Sequence, residues 1–264
     1  MRYPKPSLLL WLALLLPYFG AAQNSWNGKR CAVVLTYDDA LNVHLDKVIP
    51  SLDSAGFRGT FYINGSAATL ETRLNNWRMA ASRGHELGNH SLTHPCDGSL
   101  PGRTWVSAES DLSRYSVARA VNEIRFTNTL LKAIDGKDER TFAYPCGDSL
   151  IGKVNYYDQV QHLFVAARGV TGAMLTATDA NWESVNCYGM NGQSGDEMVA
   201  LVKSAMAQGK LLVFLFHGVG GEHSLNVSIE AHYQLVSFLK QHNNEIWVAP
   251  LVEVAKAVRG KTEE

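Results

Sequence analysis

Cys31–Tyr37, CAVVLTY, is an apolar, β-rich run that stops at two acids, Asp38 and Asp39. Strands that lack a two-residue alternation are covered on both faces, as in a parallel sheet. Leu211–Phe216, LLVFLF, is a second such run, and it stops at His217. Around these two, apolar runs alternate with stretches of helical spacing. Strands are predicted at Gly59–Ile63, Glu86–Gly88, Thr141–Tyr144, Phe164–Arg168 and Ile246–Ala249. Helices are predicted at 43–55, 70–83, 107–134, 195–208, 228–241 and 251–258. Gly56, Gly84, Gly136 and Gly209 suit their C-terminal ends. The succession describes a single α/β domain built on a parallel sheet. Open doubly wound sheets and closed barrels both satisfy it. Asp38, Asp39, His90, Cys146, Arg168 and His217 directly follow strand-like runs. Barrel sites collect at strand C-termini, so this placement favours a barrel-like arrangement.

The chain has 264 residues, 46% of them hydrophobic, enough for one large domain with a buried core. A formal net charge of −1 provides no basic excess for a nucleic-acid partner. Arg2 and Lys5, the apolar run Leu8–Phe19 and the small residues Gly20, Ala21 and Ala22 compose a secretory signal over residues 1–22. The mature domain is then 23–264, exported to the periplasm, the cell surface or the medium. The apolar run falls short of the roughly 20 residues that span a bilayer, so stable membrane insertion is not expected. Export permits disulfides among Cys31, Cys96, Cys146 and Cys187. Three pairings are possible. Cys31 opens a strand, whereas Cys96 and Cys146 follow site-forming segments, so in a parallel sheet a bridge from Cys31 to either is disfavoured. Free, buried thiols are the alternative.

Gly84–His94, GHELGNHSLTH, carries the chemistry. His90 and His94 are four residues apart on a turn-rich segment, and imidazole is a common zinc ligand. Two surface histidines in a polar loop give the same pattern. Asp38 and Asp39 reach one site only if the chain bends at the strand end, since neighbours on a strand face opposite ways. One can then ligate a cation and the other accept a proton, although Asp39 also suits a helix N-cap. His217, at the mouth of a buried strand, is a candidate proton donor or a structural histidine. Phe142–Gly147, FAYPCG, is a strand ending in a tight turn able to aim a backbone N–H at an oxyanion. Arg168 can pin a carboxylate with two hydrogen bonds or simply lie on the surface. Trp182 can wall an acetyl-sized pocket or belong to the core.

Taken in order, TYDD, GHELGNHSLTH, FAYPCG, ANW and FLFHG resemble the polysaccharide deacetylases, carbohydrate esterases of family 4 with a NodB-homology domain. The resemblance extends from about Cys31 to about Val258. It implies a distorted, incomplete (β/α) barrel that removes N- or O-acetyl groups from glycans such as acetylxylan, chitooligosaccharide or peptidoglycan. It implies one divalent cation, Zn2+ before Co2+, Mn2+ or Ni2+. Asp39, His90 and His94 match the ligand triad, Asp38 the catalytic base and His217 the general acid. Cys146 stands where the family has a tyrosine whose backbone N–H binds the oxyanion. Two positions depart from the pattern. Ala143 replaces an arginine that braces the base, with Arg168 as the candidate substitute, and Asn181 replaces an aspartate before tryptophan. A monomer acting on an acetylated glycan is expected. The rivals are a same-fold hydrolase of small linear or cyclic amides and a non-catalytic glycan-binding protein.

Overall fold

In the computed structural model, which describes residues 26–260, eight strands form one curled sheet. They are β1 (Cys31–Asp38), β2 (Thr60–Ile63), β3 (Glu86–Asn89), β4 (Phe142–Ala143), β5 (Ala167–Arg168), β6 (Tyr188–Gly189), β7 (Leu211–Phe216) and β8 (Ile246–Val248). Every pairing in this sheet is parallel. The order is β5-β4-β3-β2-β1-β7-β6, with β8 against the first half of β1. The segment carrying Val185 pairs with Arg168 and then continues into β6, which pairs with β7. The two edges are thus joined by one short, irregular stretch, and the barrel is distorted and incomplete. The signal expected at 1–22 lies outside the described residues. No helix among them is long and apolar enough to cross a membrane.

The central strand shows why the chain folds this way. All eight residues of β1 are buried. Val33, Leu35 and Tyr37 face a core shared with helices α1 (Ile49–Ala55), α5 (Gly195–Gln208) and α6 (Ile229–Gln241). Ala32 and Val34 face a second core with Leu175, Val185 and the α7 (Leu251–Arg259) residues Leu251 and Val254. Burying one such aliphatic side chain stabilises by about 1.5–3 kcal/mol, which is the force behind an unbroken apolar strand. The other helices are α2 (Ala68–Thr72), α3 (Leu74–Ser82) and α4 (Val117–Asp135).

Element boundaries moved where local chemistry outweighed periodicity. The helix expected from residue 107 begins only at Val117, because the Ser116 side chain accepts from Arg119 N–H and caps it there. The helix expected over 70–83 breaks at Arg73, whose φ of −136° and ψ of 30° separate α2 from α3. The residues before β5 form short 3-10 turns. The helix expected from residue 43 starts with a π-wound turn over His44–Val48 before α1. Trp77 is wholly buried in the first core.

Three further histidines, His44, His85 and His232, are buried in this scaffold. Burial pushes His44 and His85 down to about 4 and His232 down to about 3. The unfolded chain binds protons near pH 6.5 that the folded chain refuses, so stability falls as pH drops from about 6.5 to about 4. At pH 5 the loss is about 2 kcal/mol per group. Urea midpoints measured at pH 7.0 and 5.0 check this. Equal midpoints would mean that these rings do not resist protonation.

Candidate functional site

The C-terminal ends of the parallel strands open on one side of the sheet, and the chemistry-bearing residues gather there. Asp38 ends β1, His90 follows β3, Cys146 follows β4, Arg168 ends β5 and His217 follows β7. All of these but Arg168 border a cleft of about 790 Å³ that Asn64, Trp105, Tyr144, Val170, His223 and Leu225 also line. Arg168 lies beneath it, fully buried.

Asp39, His90 and His94 offer ligand atoms within 4.8 Å of one another. Asp39 Oδ1 lies 3.7 Å from His90 Nε2 and 3.5 Å from His94 Nε2. Asp39 sits at φ +77° and His94 at φ +54°, left-handed conformations that cost a non-glycine residue stability. For Asp39 this is the bend that lets adjacent acids serve one centre. Its backbone N–H donates to Tyr62 O, which anchors the residue on β2, and at φ +77° it lacks the extended backbone of a helix N-cap. His90 Nδ1–H donates to Ala143 O at 2.8 Å, which leaves the lone pair on Nε2. That Nε2 is buried and has no hydrogen-bond partner. An orphaned, lone-pair-bearing imidazole nitrogen facing a carboxylate and a second imidazole fits a divalent cation.

Asp38 lies beside this cluster, 3% exposed, with Oδ2 bonded to Arg168 Nη2 at 2.5 Å. Its Oδ1 is buried and unpartnered. Burial alone would raise the Asp38 pKa, but Arg168, His90 and His217 outweigh it and hold the carboxyl below its usual range. Arg168 is therefore not a surface arginine. It reaches the acid from β5, whereas Ala143 on the neighbouring β4 supplies only its carbonyl, to His90.

His217 has Nε2 4.0 Å from Asp39 Oδ2. Burial lowers its pKa, opposed by Asp38 and Asp39. Its Nδ1 is buried and unpartnered. His44 Nε2–H donates to the His217 carbonyl at 2.8 Å and so fixes the backbone behind this ring.

The cysteines divide. Cys96 and Cys146 form a disulfide, and Cys31 and Cys187 are free and buried. The bridge ties the His94 loop to the turn after β4, where Cys146 has φ +55°. Cys96 Sγ is also 3.6 Å from His94 Nδ1. Reduction, or the C96A/C146A double variant, is expected to weaken cation binding by about 10–100-fold, as loss of a ligand's support does. Competition against a chromophoric chelator checks this.

Trp182 does not reach the cleft. It packs partly buried on the second core and lines a separate groove with Asn181 and Tyr157. Its carbonyl accepts from Ala167 N–H, which draws the segment against β5 and away from the cation cluster. Sequence patterns also passed over Asn64 and His223. Asn64 Oδ1 is buried without a partner beside the cleft. Its position directly after the FYI strand was the available signal. For His223 the signal was a second histidine six residues beyond His217.

Comparison with known proteins agrees with this geometry. The family model described as polysaccharide deacetylase matches residues 27–163, just over half of the chain. A Bacillus gellan lyase is 28% identical over 154 residues, which is 58% of this chain but 5% of the lyase. The uncharacterized protein YlxY of Bacillus subtilis is 27% identical over 106 residues, 40% of this chain and 28% of YlxY. The chain thus spans less than a third of either relative. Among solved structures, a provisionally assigned polysaccharide deacetylase of Mycobacterium smegmatis superposes with TM-score 0.60 at 14% identity, covering 89% of this chain and 92% of that one. The catalytic domain of a peptidoglycan N-acetylglucosamine deacetylase from Eubacterium rectale gives 0.55 at 18% identity, covering 86% and 91%. A family 4 carbohydrate esterase pseudoenzyme from Bacillus anthracis gives 0.50 at 17% identity, covering 85% and 65%. At these identities the structures speak for the fold, and the family match carries the assignment: the chain belongs to the polysaccharide deacetylase family.

Proposed function

We propose that this chain is an exported, cation-dependent deacetylase that hydrolyses N- or O-acetyl groups on a polysaccharide or oligosaccharide. One observation carries the proposal. A buried carboxylate, Asp38, is held anionic by Arg168 with one oxygen unengaged, directly beside a three-ligand cluster at the strand ends. The non-catalytic members of this fold make the distinction worth testing, and an intact base beside an intact ligand set favours catalysis. Export is the part of the reading that rests on residues 1–22. Exposed Trp105, Val170 and Leu225 ring the cleft mouth, an apolar rim suited to the faces of sugar rings.

Asp39, His90 and His94 would hold a divalent cation, with Zn2+ the best match to a His₂-carboxylate set. When bound, such a cation polarises an acyl carbonyl and makes water acidic enough to attack near neutral pH. Asp38 Oδ1 then takes the proton from the attacking water, while Arg168 keeps Oδ2 fixed and the carboxylate oriented. The N–H of Cys146, on its strained turn, donates to the oxyanion of the tetrahedral adduct. His217 supplies a proton to the departing sugar oxygen or nitrogen, and acetate leaves.

Acetate release from acetylated xylan, chitooligosaccharides and small amides, with and without chelator, tests the proposal. Release from a glycan that stops on chelation is expected. Turnover of small amides alone would assign a same-fold amidase. Glycan binding without acetate release, indifferent to chelator, would assign a binding protein.

A further inference from the structure

His223 takes no part in the reaction just described, yet its ring lines the same cleft. Leu225 N–H donates to His223 Nδ1 at 3.0 Å. Nδ1 therefore carries the lone pair, and the ring's proton sits on Nε2. The Nε2 atom is 3.9 Å from Asp39 Oδ2, too far for a hydrogen bond, and has no acceptor among the described residues. The ring lies flat on His217, with centroids 4.6 Å apart and planes 12° from parallel.

The loop that carries it is closed at several points. Glu222, next to it, accepts from Asn42 Nδ2 at 2.6 Å and from Val43 N–H at 2.7 Å. Asn226 Oδ1 accepts from Gly221 N–H at 2.9 Å, and Leu225 O accepts from Gly218 N–H at 3.0 Å. A donor on such a loop is aimed before substrate arrives, the condition under which a hydrogen bond to developing charge is worth most.

We propose that His223 is a second catalytic histidine that donates its Nε2–H to an oxygen of the bound acyl group. It neither ligates the cation nor transfers its proton. Ligation through Nε2 would move the proton to Nδ1, against the Leu225 N–H, and place two donors face to face. The inference rests on the deacetylase reading for its substrate and deepens it by adding a side-chain donor to the acyl pocket.

Two variants separate the possibilities. H223F keeps a ring on His217 and removes the donor, and H223Q returns an amide N–H near the position of Nε2. Both are studied in the zinc-loaded chain for zinc affinity, for acetate binding by calorimetry and for kcat on an acetylated oligosaccharide. H223F is expected to lower kcat about 10²–10³-fold and to weaken acetate binding about 10–100-fold, with zinc affinity unchanged. H223Q is expected to restore most of both losses. Lost zinc affinity in H223F would make His223 a ligand and overturn the proposal. Unchanged kcat and acetate binding in H223F, or a glutamine no better than phenylalanine, would overturn it equally. If the parent chain released no acetate from any glycan, the deacetylase reading would fail, and the zinc and acetate arms would still decide the role of His223.

Discussion

Asp38→Asn is expected to lower kcat for acetate release by about 10²–10⁴-fold, the usual weight of a positioned general base, while the cation stays bound. The substituted asparagine would have the same shape as the aspartate and would not disturb Asp39, His90 or His94. Its amide cannot take a proton from water. The change would also leave Arg168 charged and fully buried without its carboxylate. Breaking one half of a buried pair costs about 3–5 kcal/mol. A lower unfolding midpoint should therefore accompany the loss of turnover. Zinc titration beside the kinetics separates the two effects. Loss of zinc in this variant would make Asp38 a ligand and contradict the role given to it.

His90→Ala should act in the opposite way, abolishing turnover by abolishing the cation. Dividing the roughly 10–16 kcal/mol of a four-ligand zinc site equally among its ligands gives about 3 kcal/mol for one imidazole, or more than 10²-fold in affinity. His90 should exceed that share, because its Nε2 is buried, lone-pair-bearing and otherwise unpartnered. Chelation of the parent chain should reproduce the phenotype, and added zinc should reverse it in the parent but not in the variant. A variant that bound zinc as tightly as the parent would remove His90 from the centre.

The amino-acid sequence revealed most where one physical demand dominated. β1 and β7 were legible because strands covered on both faces carry unbroken apolar runs. Gly195–Gln208 was legible to the residue because Ser194 and Glu197 cap it reciprocally and Gly209, at φ +65°, ends it. β6 was not, since a two-residue strand carries too little periodicity to read, and β5 is only the last two residues of the strand expected over Phe164–Arg168. Within the site, the spacing of His90 and His94 and the strand-end acids suggested a shared centre, and the folded chain brings these side chains together. Arg168 approaches Asp38 across 130 positions, and no local pattern announces such a pair. Trp182 was misplaced because its role follows from backbone pairing with Ala167, which a side-chain pattern does not record. His223 escaped notice for a similar reason, since its meaning lies in one backbone hydrogen bond that fixes its tautomer. Of the four cysteines, topology set Cys31 apart from the pair at the strand C-termini, but only the fold shows the bridge between Cys96 and Cys146.

The most direct test is a crystal structure of the zinc-loaded chain with anomalous scattering at the metal edge. One strong peak is expected about 2.0–2.2 Å from an Asp39 carboxylate oxygen and from Nε2 of His90 and His94, with Asp38 and His223 outside bonding distance. A peak held by other residues, or none at saturating zinc, would contradict the assignment of this centre.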